Sequence, residues 1–96
     1  MEQVEKVRAK VLLDGRVQGV GLRYQTQQKG LELGLTGLVR NLTDGRVEVI
    51  CEGPAEQVEA LLTWFQDDAP SQARVDTIAL RYEDPEGRFS TFSVRT

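Results

Sequence analysis

Four apolar residues at alternate positions, Val7, Ala9, Val11 and Leu13, run straight into Gly15-Arg16-Val17-Gln18-Gly19-Val20-Gly21-Leu22-Arg23. The alternation is that of a strand with one face buried. A helix-like stretch follows from about Leu22 to Leu33, and Gly34 stands where a left-handed residue ends a helix. Three glycines within Gly15–Gly21 also let successive backbone N–H groups point into one concavity, since they tolerate positive φ and carry no Cβ. The helix start adds unpaired N–H groups and a positive dipole end. Arg23 in its first turn can close on an anion with a planar, charge-assisted fork. As a bare pattern the turn is equally consistent with ordinary turn chemistry.

Along the first helix, Leu22, Thr26, Gly30 and Leu33 share a face that is thin on apolar bulk. Gly30 in mid-helix costs about 1 kcal/mol relative to alanine, which close packing of the backbone against the sheet would explain. Residues 36–42 read as a second strand and residues 46–52 as a third, joined by hairpin chemistry at Thr43-Asp44-Gly45. Gly53-Pro54 opens a second helix, with proline where its missing N–H costs nothing. Val58, Leu61, Leu62 and Phe65 form its core stripe, and Asp67-Asp68-Ala69-Pro70-Ser71 ends it. A fourth strand spans about Arg74 to Glu83. Val75 is out of parity with Ile78, Leu80 and Tyr82, which predicts a bulge or a late start to regular pairing. After a turn at Asp84-Pro85-Glu86-Gly87, a last strand near Phe89 to Val94 completes the chain. The order β-α-β-β-α-β predicts an α+β, ferredoxin-like sandwich, with two helices on one face of a four-stranded antiparallel sheet, and one domain over residues 1–96.

Composition narrows the chemistry. The chain of 96 residues has 40% apolar and 28% charged residues, the balance of a globular domain. No apolar run approaches the roughly 20 residues that span a bilayer, and the first ten residues lack a secretory signal's apolar stretch. A cytoplasmic protein is expected. The single cysteine, Cys51, allows no internal disulfide and reads as a small buried hydrophobe at a strand end. Residues 1–50 hold eight Lys/Arg against six Asp/Glu, and residues 51–96 hold four against nine. A net charge of −3 disfavours general nucleic-acid binding, while the first half can still focus one small anion. Histidine is absent, which removes the usual general base, the usual proton shuttle and the commonest metal ligand together. An enzyme built from this chain needs a reaction with little proton transfer from the protein.

Asn41 ends the second strand, eighteen residues after Arg23. In isolation it reads as a turn-adjacent residue bonding local backbone. If the first two strands lie near each other, its carboxamide approaches the glycine-rich turn and can hold a water molecule without a charge. Arg40 and Arg46 read as solvated surface charges, and Trp64 as partly buried at the edge of the core. Asp14 either orients the loop or ends the strand.

These residues together resemble a known family. Gly15 to Arg23, with Gly34-Leu35-Thr36-Gly37-Leu38-Val39-Arg40-Asn41 and Asp44-Gly45-Arg46-Val47-Glu48-Val49, is similar to acylphosphatase, as are Glu52-Gly53-Pro54 and Phe89-Ser90-Thr91-Phe92. The resemblance covers nearly the whole chain in the same order. It implies hydrolysis of the carboxyl–phosphate anhydride of acyl phosphates, with no metal and no cofactor. It also implies that Arg23 binds the phosphate along with backbone N–H groups of the loop, and that Asn41 positions the attacking water. The expected cradle is Arg16, Val17, Gln18, Gly19, Val20, Gly21 and Leu22. The family usually has Phe at Leu22, often an aromatic at Leu38, and apolar residues at Gln25 and Thr26. These departures bear on packing of the first helix rather than on the chemistry.

The implied reaction suits a chain without histidine. The leaving carboxylate has a conjugate acid of pKa near about 4, so it departs without a general acid. Positioning and charge stabilisation are what the protein must supply. The substrate expected is a small acyl phosphate, and the expected state is a monomer without nucleic-acid or membrane partners. The alternative is a non-catalytic module that binds phosphate with the same loop. An RNA-recognition domain on this fold needs aromatics on its third strand, and Arg46–Glu52 has none. Acylphosphatase-like domains also occur inside larger maturation enzymes that use carbamoyl phosphate. The chain ends at the domain's own boundary, so a free-standing enzyme is expected.

Overall fold

The computed structural model describes residues 5–68 and 72–95. The first strand pattern becomes β1 (Lys6–Arg16), and Ala9, Val11 and Leu13 are fully buried on one of its faces. Helix α1 (Leu22–Glu32) and strands β2 (Thr36–Asn41) and β3 (Val47–Pro54) follow, then α2 (Ala55–Asp67), β4 (Arg74–Glu83) and β5 (Phe92–Arg95). Residues 69–71 of the expected helix-ending segment, and residues 1–4, lie outside the described residues.

Both helices cover the face that carries Ala9, Val11, Leu13, Val47, Val49 and Cys51. Helix α1 lies against β2 and β5, and α2 against β3 and β1. The stripe expected on α2 holds: Val58, Leu61 and Phe65 are buried, each contributing about 1.5–3 kcal/mol by leaving water. Trp64 is partly buried against this core, its ring 5.4 Å from that of Phe65. The parity break in β4 is a register shift, since Asp14 pairs with Thr77 but Gly15 with Val75. Among the described residues no helix is long and apolar enough to cross a membrane.

The sheet departs from the expected four antiparallel strands in count and direction, because the last strand segment read along the chain adds a fifth position. Its order is β4-β1-β3-β2-β5, five strands among the described residues, and β5 runs parallel to β2 while every other pairing is antiparallel. The four-strand ferredoxin-like arrangement is intact within it. Strand β4 takes the place beside β1, which leaves the outer edge of β2 unpaired. The chain then crosses from one edge of the sheet to the other and covers that edge. It arrives at the end where β2 begins, so the pairing is parallel. The last strand therefore starts at Phe92, and Phe89 belongs to the crossing segment, 5.3 Å below the Arg8 guanidinium.

Candidate functional site

Three chain segments finish at the same end of the sheet: β1 where it enters the glycine-rich loop, β2 at Asn41, and β5 at Arg95. Helix α1 starts there as well. The loop turns sharply because Gly19 and Gly21 take left-handed conformations, with φ of 75° and 79°. A Cβ at either would meet nothing within 4 Å, so glycine is required there for backbone conformation rather than for space. Gly21 caps α1 without a side-chain bond, and no acidic residue occupies the first turn. The first bond of the helix runs from Gln25 N–H to the Gly21 carbonyl at 3.3 Å. The N–H groups of Leu22, Arg23 and Tyr24 therefore have no partner within the helix. Among the described residues no backbone turn bond is donated from Val17 to Gly21. The result is an anion-attracting concavity with no negative charge beside it.

A small cavity of about 80 Å³ opens there, lined by Val17, Gly19, Gly21, Leu22, Arg23, Tyr24 and Asn41. Its volume matches two or three waters at about 30 Å³ each, the scale of one tetrahedral anion. Two roomier hollows of about 290 Å³ lie elsewhere, one beside Lys10, Leu12 and Arg81, the other beside Pro54, Pro85 and Phe89. Neither is at the glycine-rich loop. Arg23 donates from Nη1 to the Arg95 carbonyl at 2.8 Å, which fixes the guanidinium at the lip of the small cavity. No carboxylate pairs with it among the described residues. Asn41 Oδ1 is buried and has no hydrogen-bond partner. A buried amide oxygen left unmatched in a fold costs about 1–3 kcal/mol, and such atoms mark places where a ligand or water belongs.

The structure thus brings Val17, Gly19, Gly21, Leu22, Arg23 and Asn41 to one cavity. Val20 packs partly buried against the core, and Arg16 is exposed at the end of β1 opposite Arg74. The Gln18 side chain reaches the β2–β3 hairpin, donating from Nε2 to the Leu42 carbonyl at 2.8 Å and the Arg46 carbonyl at 2.9 Å. Tyr24 lines the cavity and was missed; its only signal in the sequence is its place beside Arg23 in the first helical turn. The Arg95 carbonyl is a main-chain group, which no residue type announces.

Neighbouring charges are occupied. Arg40 donates from Nε to Glu48 at 2.7 Å, and Arg46 pairs with Asp44 at 2.7 Å. Asp14 accepts from the Gly15 N–H at 2.9 Å, holding the bulge before the loop. Cys51 is buried on the helix side, and burial pushes its thiol up to about 12, so it is no nucleophile at neutral pH.

A family model described as acylphosphatase matches residues 9–94. An acylphosphatase from a Nostoc species is 49% identical over 85 residues, 88% of this chain and 83% of its own length. The crystal structure of an acylphosphatase from Bacillus subtilis superposes with a TM-score of 0.87 at 31% identity, covering 94% of this chain and 99% of that one. An acylphosphatase from Coxiella burnetii gives the same TM-score, 0.87, at 34% identity, covering 99% and 100%. With the match running from β1 into β5, across the glycine-rich loop, Arg23 and Asn41, the chain belongs to the acylphosphatase family.

Proposed function

We propose that this chain is an acylphosphatase that hydrolyses the carboxyl–phosphate anhydride of small acyl phosphates to a carboxylate and inorganic phosphate. The observation that carries the reading is one small cavity lined by the glycine-rich loop, Arg23 and Asn41, where the loop and first-turn N–H groups have no backbone partner. The phosphoryl group sits in the cradle of backbone N–H groups between Val17 and Leu22, beneath the positive end of α1. Arg23, pre-set by the Arg95 carbonyl, spreads its remaining N–H donors over the phosphate oxygens. Asn41 accepts a hydrogen bond from the water and aims its lone pair at phosphorus. As the water's oxygen bonds to phosphorus, the bond from phosphorus to the acyl oxygen breaks and the carboxylate leaves. The water's proton passes to a phosphate oxygen. Each step uses positioning and charge stabilisation, so no imidazole, metal or cofactor is required. We further propose that residues 1–96 act as one domain, as a cytoplasmic monomer, with no nucleic-acid or membrane partner.

The direct test is release of inorganic phosphate from benzoyl phosphate with chelator present; a phosphate sensor would bind the anion and release none. Arg23→Lys is expected to lower kcat/KM by about 100-fold or more, because a point charge cannot reproduce the guanidinium fork. Asn41→Ala is expected to lower kcat far more than it raises KM. Near-normal turnover by a folded Arg23→Ala variant, or an Asn41→Ala effect confined to KM, would overturn the assignment. Elution of the purified protein at the volume of a single chain tests the monomer.

A further inference from the structure

We propose that the Gln18 side chain is a positioning residue that sets the distance between the phosphate cradle and Asn41. The inference rests on the reading above and adds to it. Gln18 has two roles by virtue of its place in the chain. Its backbone lies in the loop between Val17 and Gly19, while its side chain reaches across to the β2–β3 hairpin. A carboxamide nitrogen carries two hydrogens, and both are used, at 2.8 Å on the Leu42 carbonyl and 2.9 Å on the Arg46 carbonyl. Leu42 directly follows Asn41, and its N–H donates to the Arg46 carbonyl at 2.8 Å to close the hairpin. Strands β1 and β2 do not pair with each other, because β3 lies between them. Among the described residues no other hydrogen bond joins the loop to the hairpin stem.

The two carbonyls do not depend on Gln18 for satisfaction. The Arg46 carbonyl also accepts from Leu42 N–H, and the Leu42 carbonyl also accepts from Gly45 N–H at 3.2 Å. Removing the carboxamide therefore orphans no buried group, and its loss falls on geometry rather than on stability. In-line attack needs reacting atoms about 3–3.5 Å apart, and a displacement of about 1 Å costs about 100-fold in rate. The phosphate moves with the loop and the water moves with the hairpin. Gln18 is the tie between them.

The test uses Gln18→Met and Gln18→Glu in the full chain. For Gln18→Met, kcat with benzoyl phosphate is expected to fall about 10- to 100-fold, while KM, the inhibition constant of inorganic phosphate and the thermal midpoint stay near those of the unaltered protein. In Gln18→Glu the ionised carboxylate has no hydrogen to give and faces two carbonyl oxygens. Protonation restores one O–H donor, so kcat of that variant should recover as pH falls into the carboxyl range, a limb not expected of the unaltered protein. A fall confined to KM and phosphate affinity would mean that Gln18 only supports the cradle. A loss of activity that tracks the thermal midpoint would mean that it is only structural. Either outcome overturns the proposal, as does the absence of an acid limb in Gln18→Glu. A readout independent of turnover is the side-chain amide resonance of Asn41, which saturating inorganic phosphate should shift in the unaltered protein and shift much less in Gln18→Met. Equal shifts in the two proteins would overturn the coupling. No phosphate release by the unaltered protein would instead overturn the hydrolase reading.

Discussion

Thr26 carries its hydroxyl into the fully buried side of α1, where Oγ1 has no hydrogen-bond partner. A helical threonine ordinarily bonds the carbonyl one turn back, and an unmatched buried hydroxyl costs about 1–3 kcal/mol. Valine has nearly the same shape and a comparable helix propensity. Thr26→Val is therefore expected to raise the urea midpoint by the equivalent of about 1 kcal/mol, with kcat unchanged. A lower midpoint would show that the hydroxyl has a partner. Gln18 presents the opposite case, a polar side chain with both hydrogens matched. The sequence marks Gln18 as a loop member but says nothing of its side chain, since the acceptors are two carbonyls in another segment. Arg40 and Arg46 were legible as surface charges because Glu48 and Asp44 stand in and beside the same hairpin.

At the scale of the element, α1 is the weak member of the pair, with only Leu22, Thr26 and Gly30 buried along its face. Gly30 explains how so little apolar bulk suffices. A Cβ built there would lie 2.5 Å from Cδ2 and Cε2 of Phe92, so the ring of β5 packs directly on the helix backbone. Phe92 is itself 1% exposed and has no room to retreat. Gly30→Ala gains about 1 kcal/mol of helix propensity but meets an overpacking cost of about 1–3 kcal/mol. A net destabilisation of about 1 kcal/mol is expected in chemical denaturation, and Phe92→Leu on the same background should recover part of it. If Gly30→Ala stabilised the protein, the close contact would not exist in solution. Close packing at Gly30 was legible from a glycine in mid-helix. Its partner was not, because the strand expected near Phe89 begins three residues later and belongs to a fifth position in the sheet.

The molecule as a whole is fastened on the face away from the helices by one buried carboxylate. Arg8 and Glu52 stand opposite each other on β1 and β3 and bond at 2.7 Å, Arg8 Nη1 donating to Glu52. Glu52 also accepts from the N–H groups of Glu86 and Gly87, at 2.9 Å and 3.0 Å, and so holds down the segment that crosses to β5. Burial pushes the Glu52 carboxyl up, but the bonds from Glu86 N–H, Arg8 and Gly87 N–H together outweigh it and leave it below the usual carboxylate value of 4.5. A carboxyl lowered in the folded state stabilises above its unfolded value, and that stabilisation is lost as pH falls below about 4.5 through the lowered value. The exposed Asp44, lowered by its bond from Arg46, acts in the same direction but is screened by solvent. Urea midpoints measured from pH 6 downward should therefore drop in acid, and Glu52→Gln should flatten that drop. At pH 7 the same substitution is expected to cost about 2–4 kcal/mol, since it weakens a buried pair and the grip on the crossing segment. An acid limb unchanged in Glu52→Gln would assign it to other groups. Because β5 carries both Phe92 and the Arg95 carbonyl, this fastening connects the far edge of the sheet to the placement of Arg23.

The local periodicities of Val7 to Leu13 and Val58 to Phe65, the hairpin chemistry at Thr43-Asp44-Gly45 and the glycines of the loop determined the elements and their order, and pointed to Arg23 and Asn41 as the candidate groups of the site. Each of those depends on residues within a turn or two of one another, where sterics and hydrogen bonding act without help from the rest of the chain. Tertiary structure decided the parallel fifth strand, the buried Arg8–Glu52 pair, the Arg95 carbonyl on Arg23 and the Gln18 tie to the hairpin. All four join segments at least 24 residues apart, and all use main-chain or buried polar groups. Such groups take whatever partner the sheet order delivers, and that order is settled by burial of the whole core rather than by any local run of residues.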